Sequence, residues 1–135
     1  MPVLAIANQK GGVGKTAVTL GLASAASAAG IPTLVVDMDP QGNSTTGLGV
    51  TDTEFTVNDV LYADQRGIAA EAIVETSWPN VSVIPPISLA QRDADQQLGA
   101  EMRLRKALDA PTSPSVSAWS SSTASRVWAS SCPMP

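Results

Sequence analysis

The feature that most constrains the fold of this 135-residue chain is the run Gln9-Lys10-Gly11-Gly12-Val13-Gly14-Lys15-Thr16, set directly after the apolar segment Val3-Leu4-Ala5-Ile6-Ala7. An uncharged apolar run of that length suits a parallel strand covered on both faces. Residues 16–29 are rich in alanine and leucine, lack proline and are followed by Gly30, a pattern that predicts a helix with a glycine stop. The small residues Ala17, Gly21, Ala23, Ala25 and Ala26 predict close packing of that helix on a sheet. A strand joined to a helix by a glycine-rich turn is an α/β unit. Glycines let the backbone point its N–H groups inward, and a nest of N–H groups at a helix start is suited to phosphate.

Each position of the turn has a chemical reading. Gly12, Val13, Gly14, Lys15 and Thr16 aim N–H groups at a β-phosphate, where the helix dipole also favours negative charge. Lys15 adds a positive point charge at the β/γ oxygens, and the Thr16 hydroxyl is placed to ligate Mg²⁺. The competing reading is a plain strand-to-helix connection. A Gly-Lys-Thr ending at the strand–helix junction argues against it. The strict G-x-x-x-x-G-K-[ST] pattern requires glycine where this chain has Gln9.

A second strand begins at Thr33 and leads into Asp37-Met38-Asp39-Pro40-Gln41-Gly42-Asn43. Alternation predicts that Asp37 and Asp39 share one face. Two adjacent carboxylates are costly unless a cation or hydrogen-bond donors answer them. Pro40 cannot extend a central strand, so the acids are expected at its carboxyl end, where ligands bind in doubly wound sheets. For each Asp the alternative is a strand-end residue capping a turn.

Further along, Thr56 is a candidate cap for a short helix through Leu61, with Val57, Val60 and Leu61 facing the core. Residues 68–74 suit a second short helix, ended by the turn Trp78-Pro79-Asn80. Val81-Ser82-Val83-Ile84 reads as a third strand stopped by Pro85-Pro86. Residues 88–108 predict an amphipathic helix with Ser88 as its cap. The net charge is −4, and the sole basic cluster, Arg103-Leu104-Arg105-Lys106, reads as the solvated face of that helix. Binding to DNA phosphates needs several cations acting together, so no DNA contact is assigned to these residues. No apolar run approaches the ~20 residues of a membrane span, and the single cysteine, Cys132, excludes a disulfide framework within the chain.

With Gln9 and Lys10 present, the loop resembles the deviant Walker A motif of the ParA-type partition ATPases. Asp-Pro-Gln-Gly-Asn at residues 39–43, together with Asn8-Gln9, is similar to ParA/Soj-like proteins rather than the MinD branch. The nitrogenase iron-protein branch would need cysteine ligands that this chain lacks. The resemblance implies a P-loop NTPase-type three-layer fold with a mostly parallel sheet, and ATP and Mg²⁺ as ligands. It implies that Gly11, Gly12, Val13, Gly14, Lys15, Thr16 and Ala17 hold the nucleotide. Lys10, Lys15 and Asp39 would be catalytic, with Lys10 reaching across a nucleotide-sandwich homodimer and Asp39 orienting the attacking water. Thr16 and Asp37 would serve the metal. The implied setting is cytoplasmic and nucleoid-associated, without a membrane, and the implied partners are a ParB-type centromere-binding protein and, in full-length members, non-specific DNA.

The resemblance runs continuously to Leu108, so residues 1–109 read as the N-terminal part of such an ATPase domain and residues 110–135 as a serine- and proline-rich tail expected to be disordered. In the family the chain continues here with a strand resembling Val-Val-Leu-Ile-Asp-Cys-Pro-Pro-Ser-Leu-Gly, whose Asp is the Walker B acid. Ala118 to Ala124 can be encoded so that regrouping after the second base of each codon spells Val-Val-Leu-Ile-Asp-Cys. The tail is therefore read as a frameshifted version of that strand, leaving the fold truncated, without the Walker B acid and with an apolar strand edge exposed. The alternative function is an inactive N-terminal fragment that binds nucleotide weakly or not at all.

Overall fold

The computed structural model describes residues 3–8, 12–63, 65–86, 100–108 and 126–131. Strand β1 (Val3–Ala7) is followed by helix α1 (Lys15–Ala28), β2 (Thr33–Asp37), the short helix α2 (Asn43–Gly47) and α3 (Val57–Ala63). A 3₁₀ turn (Ile68–Ala72), β3 (Val74–Glu75), β4 (Val81–Ile84), α4 (Ala100–Leu108) and β5 (Arg126–Ser131) complete the described elements. The strands form one sheet in the order β1-β5-β2-β4-β3, parallel except for the β3–β4 pair.

The strand periodicity of two divides the apolar residues between the two faces of the sheet. Val35 of β2 and Val81 and Val83 of β4 join Ala23, Leu48 and Val50, with Leu20 and Trp78 packed against them. Leu34, Val36 and Ile84 point the other way, into a cluster with Val57, Val60, Ala69, Ala72 and Ala107. Helices α1 and α2 therefore cover one face while α3, the 3₁₀ turn and α4 cover the other. The expected three layers are present. Central strand β2 is buried along its whole length, as a strand covered on both sides must be.

Most expected elements hold, and the departures have physical causes. Of the small residues on α1, Ala23 and Ala26 are buried, whereas Ala17, Gly21 and Ala25 are exposed. Only the stripe of α1 that includes Thr19, Ala23 and Ala26 is buried, since a helix meets a sheet along one face. Val57 and Val60 are buried and Leu61 packs against their cluster. Thr56 precedes α3 as expected, and its N–H and hydroxyl both donate to Asp59 Oδ2 at 2.8 Å. The segment predicted as a helix over 68–74 instead makes a 3₁₀ turn and then pairs as β3 with β4. Residues 88–99, including Ser88, lie outside the described residues. In α4, Leu104 and Leu108 pack on the core while Arg105 and Lys106 are exposed.

The expectation of a structureless tail does not hold at residues 126–131. They form β5, between β1 and β2 and parallel to both, with Val127 in register with Val3 and Leu34. The slot between two parallel strands offers a row of backbone donors and acceptors on each side, and Arg126-Val127-Trp128 contains the residue types that suit a strand. Residues 110–125 and 132–135 lie outside the described residues. Among the described residues there are thus five strands where three were expected. Among them β1 has β5 as its sole neighbour, and Leu4 is 46% exposed.

One local conflict in α2 has a measurable consequence. Ser44 is 1% exposed, yet its hydroxyl has no hydrogen-bond partner. A buried, unpaired hydroxyl costs about 1–3 kcal/mol of desolvation, and alanine removes it with little loss of volume. Ser44→Ala is therefore expected to stabilise the chain by about 1 kcal/mol. Denaturant unfolding checks this, and a lower midpoint for the variant would show that the hydroxyl is satisfied.

Candidate nucleotide-binding site

The carboxyl ends of parallel strands β1 and β2 lie on the same edge of the sheet, and that edge gathers the residues that the sequence marks out. Beyond β1 the chain turns through Gly12, Val13 and Gly14 into α1. Gly12 has φ +70° and Gly14 φ +85°, backbone conformations that side chains with a Cβ rarely adopt. Among the described residues no atom lies within 4 Å of where a Cβ would stand at either glycine, so it is the left-handed backbone and not crowding that calls for glycine there.

Gly14 is the N-cap of α1 and supplies no side-chain cap, and no acidic residue lies in the first turn. The N–H groups that begin a helix have no intrahelical acceptor, and here no side-chain cap answers them. Partial positive charge at an uncapped helix start and two left-handed glycines before it are the features that suit an anion at the start of this 14-residue helix. Lys15 and Thr16, the first two residues of α1, are both half-buried at this opening, and Ala17 is exposed. A nucleoside triphosphate fits this donor set, with its phosphates on the nest and a hard cation at the Thr16 hydroxyl. Gln9, Lys10 and Gly11 lie outside the described residues.

The two acids behave differently from each other. Strand β2 ends at Asp37, so strand alternation does not carry on to Asp39, which lies in the following turn. Asp37 is completely buried. Its Oδ1 accepts the Asp39 N–H at 3.1 Å, and its Oδ2 accepts the Thr45 N–H at 2.9 Å and the Thr45 hydroxyl at 2.8 Å. Burial pushes the Asp37 carboxyl above its ordinary value of 3.8, outweighing the donors from Thr45 and Asp39 that favour the charged form, while the Asp39 charge adds to the rise. Asp39 is half-buried, and its Oδ1 accepts the Gln41 N–H at 3.0 Å.

Thr45 is the functional-site residue that sequence reasoning missed. It stands eight positions from Asp37, across a turn through which neither strand nor helix periodicity continues. The only local hint is a hydroxyl residue at the start of a helix after Gly42-Asn43, where side chains commonly bond to nearby backbone.

Residues 1–113 match the protein family described as an AAA domain. The chain is 43% identical over 113 residues to the chromosome partitioning protein ParA of Caulobacter vibrioides, covering 80% of this chain and 42% of that protein. The chain belongs to the ParA/Soj-like partition ATPase family. It is also 42% identical over 113 residues to the sporulation initiation inhibitor protein Soj of Bacillus subtilis, covering 80% of this chain and 44% of Soj. The chain thus spans about two-fifths of the length of these relatives. The family match ends at residue 113, close to the change in composition near residue 110.

Among solved structures, the cobyrinic acid a,c-diamide synthase of Mycobacterium smegmatis, determined with a bound ATP analog and magnesium, superposes with a TM-score of 0.72 at 28% identity over 95% of this chain and 50% of that one. The cell division ATPase MinD of Pyrococcus furiosus gives 0.65 at 27% identity, covering 99% and 51%. A plasmid partition protein from Borrelia burgdorferi gives 0.70 over 98% of this chain and 56% of that one, and at 22% identity it shares the fold. As a member of the ParA/Soj-like family the chain has the mostly parallel α/β sheet of P-loop ATPases. No helix among the described residues is long and apolar enough to cross a membrane.

Proposed function

We propose that this ParA/Soj-like chain contributes the phosphate-binding part of a partition ATPase, binding and hydrolysing ATP with Mg²⁺ in the segregation of a chromosome or plasmid. The observation that carries the reading is the pair of left-handed glycines, Gly12 and Gly14, leading into the uncapped start of α1. Gly11 to Ala17 hold the phosphates, Lys15 neutralises the β/γ oxygens, and the Thr16 hydroxyl holds the metal, which screens charge on the phosphates when bound. Asp37, whose two oxygens accept hydrogen bonds from Asp39 and Thr45, would support the Mg²⁺ shell indirectly. Asp39 orients the attacking water. Lys10 serves the site of a second copy in an ATP-dependent homodimer, where a cation supplied in trans is worth roughly 10³–10⁵ in rate. The setting is cytoplasmic and nucleoid-associated, with stimulation by a ParB-type partner and with non-specific DNA contacts outside the residues assigned here.

A second reading is favoured by the chain's span of 42% of its ParA relative. On that reading these 135 residues by themselves form an inactive fragment with weak nucleotide binding or none. Binding of a fluorescent ATP analogue with and without Mg²⁺, together with phosphate release, separates the two. On the ATPase reading Asp39→Ala lowers turnover by about 100-fold or more and leaves nucleotide affinity within a few-fold, as expected for a residue acting on the reacting water. Lys10→Ala likewise reduces turnover and spares binding. Equal loss of both by Lys10→Ala would contradict a role in trans, and no Mg²⁺-dependent binding by the unaltered chain would establish the fragment.

A further inference from the structure

We infer that Asp37 and Thr45 form a buried latch that sets the position of Asp39 relative to the phosphate-binding helix, making Asp37 a positioning residue. The inference rests on the ATPase reading for its effect on turnover, while the latch itself is defined by geometry.

One carboxylate joins three pieces of chain. Through Oδ1 it holds the backbone of Asp39, and through Oδ2 it holds the backbone and hydroxyl of Thr45 in the first turn of α2. The intervening turn is closed from inside as well: the Gly42 N–H donates to the Asp39 carbonyl at 2.8 Å, and the Thr46 N–H donates to the Gly42 carbonyl at 2.9 Å. Gly42 takes φ +64° at the corner and packs beneath Pro86, whose Cγ stands 3.2 Å from where a Cβ would be. Asp39 is thus clamped on both sides by bonds that lead back to Asp37.

The far end of the latch is keyed to α1. Helix α2 packs against α1 where Gly47 meets Leu20, so closely that a Cβ at Gly47 would lie 2.6 Å from Leu20 Cδ1. Leu20 lies little more than one helical turn beyond Thr16. The path from the phosphate nest to Asp39 therefore runs α1, Leu20, Gly47, Thr45, Asp37, Asp39, and Thr45 and Asp37 are its only polar, fully interior links. Thr45 is 6% exposed and Asp37 0%, so neither bond competes with water.

The test uses the full chain and the pair Thr45→Val and Thr45→Ser. Valine keeps the shape and the N–H but removes the hydroxyl bond to Oδ2, and serine restores it. For a latch that positions Asp39, Thr45→Val lowers kcat on the order of tenfold with KM and Mg²⁺-nucleotide affinity unchanged within about twofold, because a displacement well under 1 Å is costly at a reacting centre. Thr45→Ser recovers most of kcat. A merely structural hydroxyl would lower the unfolding midpoint with kcat intact below it, which overturns the proposal, as does a parallel loss of affinity and turnover. Amide exchange at Asp39 and Thr45 is measured on the same proteins. Faster exchange in Thr45→Val, restored in Thr45→Ser, supports the latch, and unchanged exchange overturns it. If the unaltered chain shows no turnover, the ATPase reading fails, and the exchange result alone decides whether the latch exists.

Discussion

Lys15→Ala is expected to weaken binding of a Mg²⁺-nucleotide by about 100-fold or more, the largest effect on binding expected of a single change at this site. Lys15 is the first residue of α1, half-buried at the mouth of a nest formed by Gly12 and Gly14. Backbone N–H groups and the helix dipole contribute partial charges, whereas the ammonium contributes a full one. A charged hydrogen bond is worth about 1.5–3 kcal/mol net, and more where flanking walls exclude water. Removing it leaves the γ-phosphate without its cation. The fold is expected to survive, because Lys15 belongs to neither hydrophobic cluster. Titration with a fluorescent ATP analogue beside a circular dichroism spectrum checks both parts. Affinity within threefold of the unaltered chain would show that the nest does not hold the β- and γ-phosphates.

Asp37→Ala is expected to be the most destabilising polar substitution, at about 3–5 kcal/mol, a large share of the 5–15 kcal/mol that holds most domains together. The carboxylate is fully buried and accepts three hydrogen bonds, so alanine strands the Asp39 N–H, the Thr45 N–H and the Thr45 hydroxyl together. Asp37→Asn keeps the size and one carbonyl oxygen, but turns an amide NH₂ toward a donor, and is expected to cost about 1–3 kcal/mol.

The pH dependence of that cost has a definite sign. Burial raises the folded carboxyl above 3.8, so between 3.8 and the raised value the native state holds more protons than the unfolded one. The proton-linked part of the stabilisation from Asp37 is therefore fully present below pH 3.8 and is lost as pH rises through the folded value. Asparagine does not titrate. The stability gap between the unaltered chain and Asp37→Asn should thus be wider near pH 4 than near pH 7, measured by urea unfolding in the presence of a chelator. A gap that widens toward neutral pH would mean that the donors from Thr45 and Asp39 outweigh desolvation.

Much of the fold can be read from local pattern. Val3–Ala7, Thr33–Asp37 and Val81–Ile84 are short apolar or β-branched runs and all three are strands, but only Thr33–Asp37 and Val81–Ile84 are buried along their length; Leu4, Ala5 and Ala7 of β1 are exposed, contrary to the expectation of a strand covered on both faces. The helix from Lys15 to Ala28 ends at Gly30, which takes φ +67° as a glycine stop should. The phosphate nest is legible for the same reason, since its chemistry lies in eight consecutive residues whose glycines prescribe the backbone.

Other features were set by contacts between distant segments. Propensity could not place Val74 and Glu75 in a strand, because it is the partner β4 that draws them out of helix. The serine-rich composition around residues 126–131 argues for disorder, and only the slot between β1 and β2, with unpaired backbone on each side, accounts for a strand there. Asp37 and Asp39 illustrate the division most clearly. Their residue types and order marked a site at the end of β2, and strand alternation implied one shared face. The chain leaves the strand at Asp37, and the return of α2 brings Thr45 against its carboxylate, which buries one acid and leaves the other half-exposed. Residue type and neighbours along the chain were enough for the glycine turn into α1, because its backbone is prescribed by the glycines of one turn. The different burial of the two acids required the packing of α2, because burial and hydrogen bonding across eight residues are properties of the folded chain.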